Sequence, residues 1–239
     1  EIMLQQTQVS RVLVKYPQFL KRFPSWKALT AAPTAEVIKA WQGLGYNRRA
    51  LALKEIAHII VTKYSGRVPK DSTILNTFPG IGPATANSIV AFAFSQPVVF
   101  IETNIRRVFI HHFFGSNQVL VTSNQGKISD KQLLRFIETT LDKKNPREWY
   151  WALMDYGSHL AKQVDNPNRR SKHYAKQSKF EGSVRQVRGE ILRQLIASPK
   201  TQSQLKLTLA KRVDLDIILS QLMREKFISY RNGRYFLQQ

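Results

Sequence analysis

The run Phe78-Pro79-Gly80-Ile81-Gly82-Pro83 lies between two stretches that read as helices, and it constrains the fold more than any other part of the chain. Asp71 is placed to cap a short helix ending near Thr77, and residues 84–94 form an apolar helix. Glycine permits a tight turn and lets backbone approach a ligand closely. The helix after such a turn offers free amides and the positive end of its dipole, an arrangement suited to a phosphate.

The rest of the first two-thirds is also helical in pattern. Val9, Val12, Leu13, Tyr16 and Leu20 recur at three- and four-residue spacings and mark one apolar face, in a region that Pro24 ends. Thr34, after Pro33 and before Glu36, starts a helix that runs towards Gly43 and Gly45. Further helices are expected over residues 48–64, stopped by Gly66, and 103–114, stopped by Gly115. Another is capped by Ser129 or Asp130 and reaches Leu141, and one more covers residues 148–159. Residues 98–101 are a short apolar stretch. Helices joined by short loops make an all-α domain over residues 1–160. Residues 161–182 carry Lys162, Arg169, Arg170, Lys172, Lys176 and Lys179, which reads as a basic arm or a solvated linker. Residues 183–239 form a small α+β unit. Its helices are expected at Val184–Leu195 spacing, at residues 205–210 and at 215–223. A hairpin then turns at Asn232-Gly233, the strongest short hairpin signal. Three helices closed by a hairpin is a winged-helix-like pattern, which binds duplex DNA in some proteins and protein in others.

The chain of 239 residues has 37 lysines and arginines against 16 acids, a formal charge of +21, which points to a polyanionic partner, nucleic acid before membrane. There is no cysteine, so disulfides, catalytic thiols, thiolate zinc sites and cysteine-ligated iron–sulfur clusters are excluded. His111 and His112 are neighbours that face different ways on a helix, a poor metal pair, with packing or backbone contact as their expected role. No apolar run is long enough to cross a bilayer and no signal peptide is visible. The sequence opens at Glu1 inside what reads as a helix, so an upstream segment is expected. A monomer in the cytoplasm or nucleoid is the expectation that follows.

Five blocks now stand in order. They are Glu1-Ile-Met-Leu-Gln-Gln-Thr-Gln-Val9, Trp41-Gln-Gly-Leu-Gly-Tyr46, Phe78-Pro-Gly-Ile-Gly82, Phe100-Ile-Glu-Thr-Asn-Ile-Arg-Arg-Val108 and Leu153-Met-Asp-Tyr-Gly157. In sequence and spacing they resemble the helix-hairpin-helix DNA glycosylases related to endonuclease III, and among these the MutY-type adenine glycosylases. The resemblance implies a two-lobed helical domain that flips a nucleotide out of duplex DNA into a pocket between the lobes and cuts the bond between base and sugar. The partner implied is double-stranded DNA with a mispaired or damaged base. Bond breaking passes through an oxocarbenium-like state, which calls for an acid at the leaving base and an anion near the sugar. Glu1 matches the family's acid, which protonates the adenine ring and helps to activate water. Glu102 matches the second carboxylate and Asn104 its support. Gln6, Thr7, Leu44 and Tyr46 match residues that fill the hole in the duplex or meet the opposite base, with Tyr46 on a turn suited to a wedge. Gly80, Gly82 and Arg106 complete the expected DNA contacts. A structural monovalent cation at the hairpin is compatible with the resemblance.

The sequence departs from the family in four places. Glu102 stands where the family carries aspartate; an acid there also suits a helix start. Ala84 replaces the lysine of lyase-competent relatives, so a monofunctional enzyme without a Schiff-base step is expected. The cluster cysteines are missing, the first falling at Ala161, and the basic arm is a candidate substitute in gripping phosphate. The usual C-terminal domain that senses 8-oxoguanine gives way to the winged-helix-like unit. Removal of adenine opposite guanine or 8-oxoguanine is the leading expectation. Excision of thymine or uracil opposite guanine and mismatch binding without chemistry are the alternatives.

Overall fold

The computed structural model describes residues 1–115, 127–208 and 214–239, and the chain divides into two compact units. The first joins Glu1–Val68 to Gln177–Gln239; the second is Pro69–Lys176. Among the described residues the fold is helical with one small hairpin, as the sequence implies.

The first unit begins with turns over residues 2–6, a departure from the helix expected at Glu1. Helix α1 (Val9–Arg22) then runs through Pro17. Its apolar stripe does not face the core as a whole: Val12 and Phe19 are buried, whereas Val9, Leu13, Tyr16 and Leu20 are exposed. The rings set this orientation, since Phe19 packs edge-on against Phe23 at 4.9 Å and against Trp41 at 5.9 Å. Helix α2 (Trp26–Ala31) follows, started by the Ser25 hydroxyl accepting from Ala28 N–H. Sequence periodicity missed it because six residues show less than two turns of pattern. Helices α3 (Thr34–Trp41) and α4 (Arg48–Lys63) fall where expected, and α1 to α4 enclose a core of Trp41, Val37, Leu29 and Ala57.

The C-terminal part of the same unit holds α10 (Val184–Ala197), α11 (Gln202–Thr208) and α12 (Leu215–Arg224), with strands β1 (Ile228–Arg231) and β2 (Arg234–Leu237). The sequence places the second of these helices at 205–210; it starts three residues earlier, at Gln202, and the stretch from 209 lies outside the described residues. The strands pair antiparallel from Ile228 with Leu237 to Arg231 with Arg234. Asn232 (φ 50°) and Gly233 (φ 73°) both occupy the left-handed region that a two-residue hairpin turn requires. Ile38 of α3 lies in one buried cluster with Ile191, Leu192, Leu222 and Phe227, and Leu51 of α4 packs against it. The three-helix-and-hairpin part and the N-terminal helices therefore share a core. Glu225 adds an ion pair to Arg188 at 2.5 Å and another to Arg48 at 2.6 Å.

The second unit contains α5 (Ser72–Leu75), α6 (Pro83–Phe94), α7 (Thr103–Phe113), α8 (Asp130–Thr140) and α9 (Pro146–Gln163). Asp71 caps α5 by accepting from Thr73 N–H at 2.7 Å, and Ser129, in a capping box with Gln132, caps α8. Tyr150 is fully buried; its hydroxyl donates to Val98 C=O at 2.9 Å and accepts from Phe100 N–H at 3.3 Å, pinning the apolar stretch before α7. Burial pushes that phenol up to about 12.

Part of the basic segment is laced to this unit. Pro167–Arg170 forms a 3₁₀ turn against α7. Asn168 Nδ2 donates to Thr103 C=O at 3.0 Å, and Arg170 donates to Phe114 C=O. Ile128 N–H donates to Arg170 C=O and Lys172 N–H to Ile128 C=O, each at 2.8 Å. Asn168 and Ser171 are buried polar residues here. The donors are amides and a hydroxyl, with no thiolate, so the segment does not fit an iron–sulfur cluster. Among the described residues no group of three or more His, Asp or Glu is placed to hold a metal, and no helix is long and apolar enough to cross a membrane.

Candidate functional site

The residues expected to act gather in three places. The first surrounds Arg49, which sequence reading passed over. The residue is 8% exposed, and its guanidinium donates to the carbonyls of Ile2, Met3 and Gln5, to Thr7 Oγ1, and to the carbonyls of Leu44 and Gly45, at 2.6 to 3.2 Å. It also lies over the Tyr46 ring, 5.5 Å from its centroid. The segment carrying Glu1, Gln6 and Thr7 and the turn carrying Leu44 and Tyr46 are thus held by one side chain. The signal in the sequence is slight: an arginine at the second position of a helix, near carbonyls that only the fold brings to it. Burial lowers the Arg49 pKa from its ordinary value, while the nearby Tyr46 opposes this shift.

Within this place the expected residues differ in what they present. Glu1 is exposed and its carbonyl accepts from Leu4 and Gln5 N–H. Gln6 and Tyr46 both have positive φ, 53° and 46°. Thr7 donates to Leu44 C=O at 3.1 Å. Leu44 is 2% exposed, so its side chain supports the turn from inside. Tyr46 is 36% exposed, with its hydroxyl accepting from Arg185 at 2.8 Å and also bonded by the Gln177 amide, and with Arg185 lying 5.8 Å over the ring. An exposed aromatic ring on strained backbone, gripped at its phenol by residues more than 130 positions away, was not legible beyond its place on a glycine turn.

The second place is the turn between α5 and α6. Gly80 has φ 74°, which explains that glycine by backbone alone. Gly82 has ordinary φ, −91°, and a Cβ added there would meet nothing within 4 Å. Neither conformation nor packing among the described residues calls for glycine at 82. Pro83 opens α6 with its φ preset and no amide to satisfy.

The third place is the start of α7. Glu102 is its N-cap, and Oε1 accepts from Asn104 N–H at 2.6 Å and Ile105 N–H at 2.8 Å. Oε2 takes no hydrogen bond from the described residues. Burial pushes this carboxyl above its ordinary value, against the opposing pull of the two amides and of the Arg106 and Arg107 charges. Asn104 Oδ1 accepts from Arg107 at 2.6 Å, and Arg107 also donates to Gly157 C=O at 2.6 Å. A Cβ on Gly157 would lie 2.4 Å from Asn104 C=O, so only glycine lets α9 come this close to α7. That accounts physically for the block ending at Gly157. Arg106 is engaged with Asp130 through two hydrogen bonds, at 3.0 and 2.8 Å, which offset part of its charge. His112, further along α7, bonds Tyr156 at 2.8 Å and stacks on it, a packing role.

The profile of the HhH-GPD superfamily base excision DNA repair proteins matches residues 1–134. The adenine DNA glycosylase of Mycobacterium tuberculosis (strain CDC 1551 / Oshkosh) is 32% identical over 263 aligned positions, covering 99% of this chain and 83% of that protein. The adenine DNA glycosylase of Mycolicibacterium smegmatis (strain ATCC 700084 / mc(2)155) is 46% identical over 108, covering 45% of this chain and 37% of that one. Among solved structures, a thermostable thymine-DNA glycosylase superposes with a TM-score of 0.56 at 27% identity, over 66% of this chain and 70% of that chain.

Proposed function

Because the chain belongs to the HhH-GPD superfamily of base excision DNA repair proteins and is a DNA glycosylase by class, we propose that it removes adenine mispaired with guanine or 8-oxoguanine and leaves the abasic strand uncut. The observation that carries the chemistry is Glu102: a half-buried carboxylate fixed by two backbone amides through one oxygen, with the other oxygen uncommitted. That oxygen is the anion that faces the positive charge developing on the sugar. Glu1 donates the proton that lets the purine leave. Water adds its oxygen to C1′ of the sugar and gives up a proton to a carboxylate, so the products are free base and an abasic hydroxyl. Asn104, held by Arg107, fixes the start of α7 around Glu102. Ala84, at the second position of α6, has no amine for a Schiff base.

Duplex DNA is gripped at phosphate by the turn at Gly80 and Gly82 and by the basic residues of the arm, while Tyr46, with Gln6 and Thr7 beside it, meets the base opposite the target. The two mycobacterial adenine glycosylases support adenine as the target. The similarity to a thymine-DNA glycosylase supports a second reading, thymine or uracil opposite guanine. Glutamate in place of the family's aspartate supports a third, mismatch binding without chemistry.

Short duplexes with one A:8-oxoguanine, A:G, T:G or U:G pair separate the three. Cleavage at adenine alone, revealed only after alkali and slowed by a factor of about 10²–10³ in Glu102→Gln, is the expected result. Release of thymine or uracil favours the second reading. Tight mismatch binding with no product from any duplex overturns the enzymatic one.

A further inference from the structure

The ring of Tyr46 is held from the C-terminal part of its own unit. Arg185, the second residue of α10, donates through Nη1 to the Tyr46 hydroxyl at 2.8 Å, and its Cζ lies 5.8 Å from the ring centroid. The Gln177 amide bonds the same hydroxyl. Arg185 is itself anchored, with Nη2 donating to the Ser178 carbonyl at 2.7 Å. Among the described residues it forms no ion pair, so its charge is not committed to a carboxylate. Fastening the C-terminal part to the N-terminal helices does not require these contacts. Ile38 and Leu51 already pack into the cluster of Ile191, Leu192 and Phe227, and Glu225 pairs with both Arg48 and Arg188. Apolar burial of this kind outweighs a polar contact at the surface. Tyr46 is meanwhile 36% exposed on backbone with φ 46°, a conformation that persists in a non-glycine residue only where its surroundings over-determine it. A ring so exposed has several rotamers open to it, and donors at its phenol select one.

Resting on the reading of Tyr46 as the residue that meets the base opposite the target, and on no choice of target base, we propose that Arg185 is a positioning residue for that contact: from α10 it sets the Tyr46 ring in its stacking orientation before DNA arrives. Arg185 acts through the ring and takes no phosphate itself. A side chain ordered in the free protein spares the complex the entropy of ordering it on binding. The C-terminal part thereby serves the site as a brace for the residue that enters the duplex.

The test uses a duplex with a tetrahydrofuran residue in the target strand opposite 2-aminopurine, whose fluorescence reports stacking on the opposite base and needs no base release. The parent protein is expected to quench it, and Tyr46→Ala to lose the quench. Arg185→Ala is expected to bind the probe about fivefold more weakly, the cost of ordering one side chain on binding. Added to Tyr46→Ala, the same substitution causes no further loss, because no ring remains to be held. The slope of log binding constant against log salt stays that of the parent. Additive losses in the double variant, as a folding defect or a direct DNA contact gives, overturn the proposal. So does a slope lowered by about 0.9 in Arg185→Ala, the mark of a phosphate contact. Parental affinity in Arg185→Ala beside a lost quench in Tyr46→Ala sinks the brace alone. If Tyr46→Ala gives the same signal as the parent, the reading of Tyr46 fails and the proposal with it.

Discussion

Arg49 Nη2 donates to Thr7 Oγ1 at 2.9 Å, and with the carbonyls of Leu44 and Gly45 on the same nitrogen it joins the opening segment of the chain to the glycine turn before α4. The guanidinium acts as a template: two stretches of irregular backbone, each with carbonyls that helices would otherwise use, are satisfied from one planar fork.

Arg49→Leu is therefore expected to cost about 3 kcal/mol or more in urea unfolding, since several buried carbonyls lose their donor together. Arg49→Lys retains the charge but not the fork, and falls between. A loss below about 0.5 kcal/mol for the leucine variant shows that water replaces the arginine without penalty.

Gly157→Ala tests the close approach of α7 and α9. The added carbon meets backbone, not a flexible side-chain end, so one helix has to move. Overpacking of this kind costs about 1–3 kcal/mol. It also shifts Asn104, so base release is expected to slow by more than the stability change explains, with KM less affected than kcat. An alanine variant with parental stability and rate removes the case for tight packing between these helices.

The sequence read most fully where local chemistry decides structure. Asp71, Ser129 and the Asn232-Gly233 turn behave as their types require, and the helices they bound fall into place. It read least well where partners are distant. The stripe on α1 gave the period but not the face, because Phe19, Phe23 and Trp41 choose the buried side through packing beyond that helix. Arg49 and Asn168 look like ordinary polar residues until the fold sets carbonyls around them. Glu102 was found by resemblance and by its place before a helix; that one of its oxygens is spent on capping and the other is not could be seen only in the structure.

The arm offers an electrostatic prediction. Arg169, Arg170, Lys172, Lys176 and Lys179 are exposed, and of these Arg170 is used in holding the 3₁₀ turn to Phe114. Changing Arg169, Lys172, Lys176 and Lys179 to alanine is expected to flatten the plot of log binding constant against log salt by about 0.9 for each phosphate that is no longer neutralised. Changing Arg170 is expected to lower the melting temperature instead. An unchanged slope in the fourfold variant means that the arm does not reach the DNA backbone.

The pH dependence of Glu102 has a definite sign. Its carboxyl sits above the ordinary glutamate value of 4.5 in the folded protein, chiefly through burial. As pH rises past 4.5 the unfolded chain releases this proton first while the folded one retains it. The contribution of Glu102 to stability therefore falls across the window between 4.5 and the raised value, and is level above it. Glu102→Gln lacks this component, so its stability relative to the parent improves over the same window. Activity runs the other way, because the proposed role needs the ionised form. The rate of base release rises with pH through the raised value, and Glu102→Gln loses a factor of about 10²–10³ together with that acid limb. If Glu102 serves only to cap α7, glutamine fulfils the role with its own carbonyl oxygen, and both the rate and the acid limb survive the substitution. Paired pH–rate and pH–stability curves on the two proteins distinguish an anion that reacts from one that merely starts a helix.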